Sequence, residues 1–300
     1  MELWVVFSIA AAATQALRTA VHRRMTTAIG NLGASYIRFS YAFPIAWLFC
    51  VLYSGYSGTA LPYLPASFWF WINLAALTQV IFTILLVQLF SHRSFAAAVA
   101  FSKTEVLQTA IFEALILGVI VTVQTGVAIA LGVFATVLLS FAKANLAVAN
   151  LRATFFSRQV AIGLAAGAFL GFCTVCYGAA LHSMVGGDVI GNAMYAAAIG
   201  TTVQAVCFGI YVFIVRREQF IASFVEWRQC GIAGVWAATT SVCWFAGFAL
   251  YSVAPVRAVG QIELLFSVGF SVFYFKERVN RVELTAIVLL ATSIIMVLLD

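Results

Sequence analysis

The chain has 300 residues, of which 64% are apolar and only 9% charged, with a net charge of +6 and a mean hydropathy of +1.06. Soluble domains carry about 25% charged residues, so this chain lacks the charge to cover a water-facing surface and its outside must face lipid. The basic residues are scattered singly between apolar stretches, with no Lys/Arg run interleaved with aromatics, which excludes a nucleic-acid partner.

Taken in chain order, ten segments of about 20 residues are long enough to cross ~30 Å of hydrocarbon as helices. They fall near 2–21, 33–54, 67–90, 95–117, 121–141, 159–181, 188–214, 230–250, 254–275 and 281–299. Helices are required because the bilayer has no water to satisfy stray backbone groups, so the expected fold is all-α and polytopic. The opening Met1-Glu2-Leu3-Trp4 lacks a basic leader region, and the first segment reads as a retained span. Residues 55–66, with Gly55, Gly58, Pro62 and Pro65, read as a loop, and Gly186-Gly187 as a turn. Trp69, Trp71 and Trp227 flank span starts as interfacial anchors.

The longest connection, 143–158, separates two sets of five spans, 2–142 and 159–299. An offset of 158 lays each span of the first set on one of the second without gaps, and brings Glu105 onto Glu263. An odd number of spans per set makes the two sets run oppositely, the 5+5 inverted repeat of many secondary transporters, with substrate held near the midplane. Thirteen bases (Arg18, Arg23, Arg24, Arg93, Lys143, Arg152, Arg158, Arg216, Arg217, Arg228, Lys276, Arg278, Arg281) cluster at the odd-numbered connections, and Arg257 alone lies near an even one. The positive-inside bias then places the odd connections in the cytoplasm and both termini outside.

Charge inside a span costs about 2.5–3.5 kcal/mol at mid-bilayer. Arg38, Lys103, Glu105, Glu113 and Glu263 together would cost on the order of 12–17 kcal/mol unrelieved, so pairing, neutralisation or a cavity must relieve them. Glu105 shares a helix face with Gln108 and Thr109, whereas Lys103 points away unless the helix is locally unwound. Glu263, with Gln261 nearby, sits at the matching depth, so the two acids are candidates to share a proton and couple transport to it. A structural ion pair between the fourth and ninth spans accounts for the same residues. Glu113, near the end of the fourth span, is expected to be solvated there, and Arg38 to snorkel or bind an anion. In the first span Ser8, Gln15 and His22 form a polar stripe at seven-residue intervals. Gln79, Tyr177, Gln204 and Trp244 are further mid-span polar groups, and Gly163, Gly167 and Gly171 a small-residue ridge for close helix packing.

Four stretches carry a resemblance to a known family: Arg38-Phe39, Ser102-Lys103-Thr104-Glu105, Gly260-Gln261-Ile262-Glu263 and Phe275-Lys276-Glu277-Arg278. With ten spans in two matching sets, the chain resembles the ten-helix EamA branch of the drug/metabolite transporter superfamily over essentially its whole length. The resemblance implies a multi-pass protein of a bacterial inner membrane that exports or exchanges a small organic molecule by alternating access. It also implies cytoplasmic termini, opposite to the charge count. The substrate- or proton-binding candidates are Glu105, Glu263, Lys103, Gln108, Gln261, Arg38 and Gln15; besides substrate, the expected partners are lipid and protons.

The three histidines (His22, His92, His182) stand singly at span ends, and Cys173-Thr174-Val175-Cys176 has neither a second pair nor a nearby His. No metal, cofactor or catalytic constellation is therefore expected. An embedded enzyme acting on lipid-linked substrate, a passive channel and a lipid scramblase are the competing readings.

Overall fold

The computed structural model describes residues 2–90, 101–143, 158–275 and 280–300. All of its regular structure is helical, apart from one isolated antiparallel bridge between Tyr63 and Val185. Eight helical stretches are long and apolar enough to cross a membrane: Leu3–His22, Arg24–Ser57, Ala66–Leu89, Val123–Ala142, Val160–Ser183, Val189–Val215, Trp227–Leu250 and Arg281–Leu298. The chain is thus built as a polytopic membrane protein.

The helices are α1 (Leu3–Ser40), α2 (Ala42–Ser57), α3 (Ala66–Phe90), α4 (Glu105–Leu117), α5 (Val123–Lys143) and α6 (Arg158–Ser183). They continue as α7 (Val189–Val215), α8 (Arg217–Val225), α9 (Trp227–Leu250), α10 (Val253–Gly260), α11 (Ile262–Phe275) and α12 (Arg281–Leu298).

Where a loop is expected between the first two spans, α1 instead continues through the polar run at residues 22–28 and breaks only at Gly30, at φ +74° and ψ 170°. Polar side chains at a membrane surface do not stop a helix; a backbone in the left-handed half of φ space does. The amide groups freed by this break are recaptured, since Leu32 and Gly33 donate their N–H to Oε1 of Gln219 at 3.0 and 3.1 Å. The short helix α8 thereby acts as a cap for the second stretch of α1.

The expected span at 33–54 is shared between the end of α1 and α2 across a one-residue turn at Tyr41, and those at 95–117 and 254–275 are not single long helices either. Residues 95–100 lie outside the described residues. After them Phe101-Ser102 is helical, Lys103-Thr104 forms a turn, and α4 starts at Glu105. The span at 254–275 is divided into α10 and α11 at Gln261. Both interruptions tighten to i→i−3 bonds, Thr104 N–H to Phe101 at 3.2 Å and Gln261 N–H to Ala258 at 3.2 Å. Lys103 and Gln261 are 158 positions apart.

The chain forms two compact units, Met1–Val80 with Cys176–Ser252, and Ile81–Val175 with Val253–Asp300. Each draws elements from both sides of the connection 143–158. In the first, α1 packs along α9 and also meets α7 and α8, while α2 lies against α7 and α9. Alanines carry these contacts: Ala42, Ala46, Ala198, Ala237 and Ala238 surround Cys50. Small residues allow the close backbone approach that holds helices together where no water drives association. In the second unit α5 packs along α12, and α10 along α4.

Candidate functional site

The second unit concentrates its buried charge around the turn before α4. Because the helix restarts there, Glu105 occupies the first turn of α4, where the positive end of the helix dipole favours a carboxylate. It is 4% exposed. Its Oε1 accepts a hydrogen bond from Nη2 of Arg257 on α10, a buried ion pair. Its other oxygen, Oε2, is buried without a hydrogen-bond partner among the described residues, and so is Oε1 of Gln108 one turn on. Gln108 donates from Nε2 to the Thr104 hydroxyl at 3.2 Å, and that hydroxyl donates to the Phe101 carbonyl at 2.7 Å, so the turn is braced by side chains. A buried carboxylate with one oxygen on a guanidinium and the other unmatched is able to accept a proton or a ligand donor.

Glu113 lies two turns further along α4 and is 1% exposed, not solvated at a helix end as its position in sequence implies. Its two oxygens accept the N–H groups of Val253 and Ala254 at 2.6 and 2.8 Å. These are the first amides of α10, which have no partner within their own helix. Glu113 therefore fixes the start of the helix whose next turn presents Arg257 to Glu105, and α4 and α10 run antiparallel between the two contacts.

Glycines of α6 make room for this arrangement. A Cβ on Gly167 would lie 3.0 Å from the Ser102 carbonyl oxygen, and one on Gly171 would lie 3.0 Å from that of Glu105 and 3.1 Å from the Thr109 nitrogen. The expected small-residue ridge thus packs within the chain, against the turn itself.

At the equivalent interruption Gln261 accepts a hydrogen bond from the Thr136 hydroxyl at 2.7 Å through its Oε1. Glu263 stands in the first turn of α11 and is half-buried, as is Lys103 in the turn before α4. Arg38 and Gln15 belong to the first unit. Arg38 occupies the last turn of α1 with its guanidinium 4.7 Å from the Phe39 ring centroid, and Gln15 accepts from the Trp244 indole at 3.1 Å. That unit also joins Gln79, Tyr177 and Gln204, as the Tyr177 hydroxyl donates to Gln79 at 3.0 Å and the Gln204 amide reaches both. Among the described residues no group of His, Cys, Asp and Glu is placed to hold a metal. Phe275 ends α11, while Lys276-Glu277-Arg278, His92 and Arg93 lie outside the described residues.

Arg257 and Glu113 are the two site residues that sequence reasoning leaves out. The signal for Arg257 was its place four residues inside the expected span 254–275, deeper than a base at a connection.

No family model and no curated protein matches the chain. A solved structure titled only "Crystal structure of protein" matches it with a TM-score of 0.73 at 12% identity, covering 99% of this chain and 97% of that one. The likeness concerns the fold.

Proposed function

We propose that the chain is a secondary carrier of the EamA type, ten spans arranged as a 5+5 inverted repeat in a bacterial inner membrane. It moves a small organic molecule by alternating access, with protonation of Glu105 as the coupling step. The observation that carries this reading is the pair of interrupted helices. Their breaks, at Lys103-Thr104 and Gln261, are separated by the same 158 positions that superimpose the expected spans, and each resumed helix carries an acid in its first turn, Glu105 or Glu263. Discontinuous helices whose ends face the membrane interior are how carriers build ion and substrate sites.

The chemistry follows from the ion pair. With Glu105 ionised, the charge of Arg257 is compensated by a carboxylate while both side chains are largely buried. A proton on Glu105 weakens that pairing, so Arg257 can turn toward an anionic group of the cargo or another acceptor. Proton and cargo then compete for one pair of side chains, the minimal requirement for exchange.

The test begins with untargeted metabolite analysis of cells overproducing the chain or its Glu105→Gln variant at equal levels. Compounds whose distribution differs are then supplied to proteoliposomes. Saturable flux with counterflow, lost in Glu105→Gln, is the expected result. Equal transport by the variant removes Glu105 from the site. Chemical conversion of supplied lipid reveals an enzyme, and non-saturating flux without counterflow a channel.

A further inference from the structure

We propose that the first unit holds one anionic phospholipid, its acyl chain in a groove along α7 and its phosphate on Arg217 and Arg216. This site is independent of the carrier reading.

The groove encloses about 470 Å³ and is lined from Thr202 to Ile214 on α7, with Phe43 of α2 and Phe220 of α8 on its sides. Twelve residues of helix rise through roughly 18 Å, slightly more than the ~15 Å that is half the hydrocarbon core. The groove is thus as long as one leaflet. Val206, Ile210, Phe213 and Ile214 are exposed along it, so no described residue covers its wall. Its depth comes partly from Gly209, where a Cβ would lie 2.9 Å from the Tyr36 hydroxyl oxygen.

The groove ends where the charge begins. Arg216 and Arg217 follow directly on Val215, the last residue of α7, and are exposed. The guanidinium of Arg217 lies 5.3 Å from the ring centroid of Phe213, a residue of the groove wall, so the cation stands at the mouth. On α8, Arg217, Phe220, Ile221 and Phe224 recur at helical spacing, giving an apolar face with a base at its start, while Gln219 ties the helix to α1. Glu218, turned about 100° from Arg217 around the helix, stands at the border of that face rather than in line with Arg217. A leaflet-long apolar channel with two cations at its interfacial end matches an acyl chain joined to an anionic headgroup. On the positive-inside pattern these arginines lie at the cytoplasmic leaflet, where anionic lipids supply the complementary charge.

Native mass spectrometry of the purified full chain, titrated with phosphatidylglycerol or phosphatidylcholine, tests the site. One phosphatidylglycerol should be retained in preference to phosphatidylcholine. Arg217→Gln should weaken its binding about fivefold, and Arg216→Gln with Arg217→Gln about thirtyfold. Val206→Trp, on an exposed position, should obstruct the groove and reduce retention while leaving the melting temperature unchanged. Equal retention of the two lipids by the wild type overturns the proposal without recourse to any variant. Unchanged binding by the arginine or Val206→Trp variants also overturns it, as does a groove covered by a second copy of the chain, seen as a dimer that excludes lipid.

Discussion

Glu105→Gln is the sharpest perturbation of the site. An exposed ion pair contributes about 0–1 kcal/mol, whereas breaking a buried one costs about 3–5 kcal/mol because it leaves an uncompensated charge. The side chains of Arg257 and Glu105 are 11% and 6% exposed, which places the pair in the second regime. Glu105→Gln should therefore destabilise the protein by about 3–5 kcal/mol, read as unfolding free energy in mixed micelles. Replacing both partners by methionine removes both charges, and such replacements are neutral or stabilising by about 1–4 kcal/mol. The double variant should thus recover the stability that the single one loses.

Transport separates the two roles of the pair. If Glu105 and Arg257 only hold α4 to α10, the methionine double variant will transport like the wild type. If they carry cargo or protons, it will be stable and inactive. A loss below about 1 kcal/mol for Glu105→Gln would refute the burial reasoning, and full activity in the stable double variant would refute the site.

Glu113→Ala should cost about 1–3 kcal/mol for each of the two α10 amides it leaves unpaired, and Glu113→Gln less because one acceptor oxygen remains; unfolding titrations of the two variants check this order. Gly171→Ala forces a methyl to 3.0 Å from the Glu105 carbonyl oxygen and should destabilise by about 1–3 kcal/mol. Gly231→Ala in α9 meets nothing within 4 Å and should stabilise by about 0.5–1 kcal/mol through helix propensity. Asp188 caps α7 by accepting from the Ile190 and Gly191 amides, and it also accepts from Tyr53 and Thr59. Partial burial pushes its carboxyl up, but the hydrogen bonds from Gly191, Tyr53, Thr59 and Ile190 outweigh this and hold it below the usual range. A depressed carboxyl stabilises the fold above its unfolded value near pH 4 and loses that contribution as pH falls through the folded value. The stability gap between wild type and Asp188→Ala, about 1 kcal/mol for the cap, should be level from pH 7 to about 5 and narrow below about pH 4.

The long apolar stretches were legible in the sequence because a bilayer imposes length and composition directly. Six of the expected spans coincide with single long helices to within a few residues, among them 67–90 as Ala66–Phe90 and 188–214 as Val189–Val215. Between the expected spans 2–21 and 33–54 the helix continues, and the break is set by the backbone at Gly30. The interruption at Lys103-Thr104 has neither Gly nor Pro, and only the paradox of Lys103 and Glu105 on opposite helix faces points to unwinding there, whereas that at Gln261 follows Gly260, the last residue of α10. Partners were the least legible. Arg257 read as an orientation signal and Glu113 as a solvated end because neither sequence spacing nor hydropathy reveals that α10 lies against α4.

That packing also assigns different work to the two buried acids of α4. At eight residues α10 is too short to be stable by itself, and Val253 and Ala254 are fully buried, so water does not reach its first amides. Glu113 meets that need with both oxygens, so releasing it would unmake the helix. Glu105, eight residues earlier and therefore about 12 Å away along α4, holds Arg257 with one oxygen and keeps the other unmatched. Its partner can be exchanged while Glu113 keeps α10 in register. The carboxylate with both oxygens committed anchors the frame, and the one with a single oxygen on Arg257 is the acid that the proposed exchange would use, with Glu113 holding α10 while that pair opens.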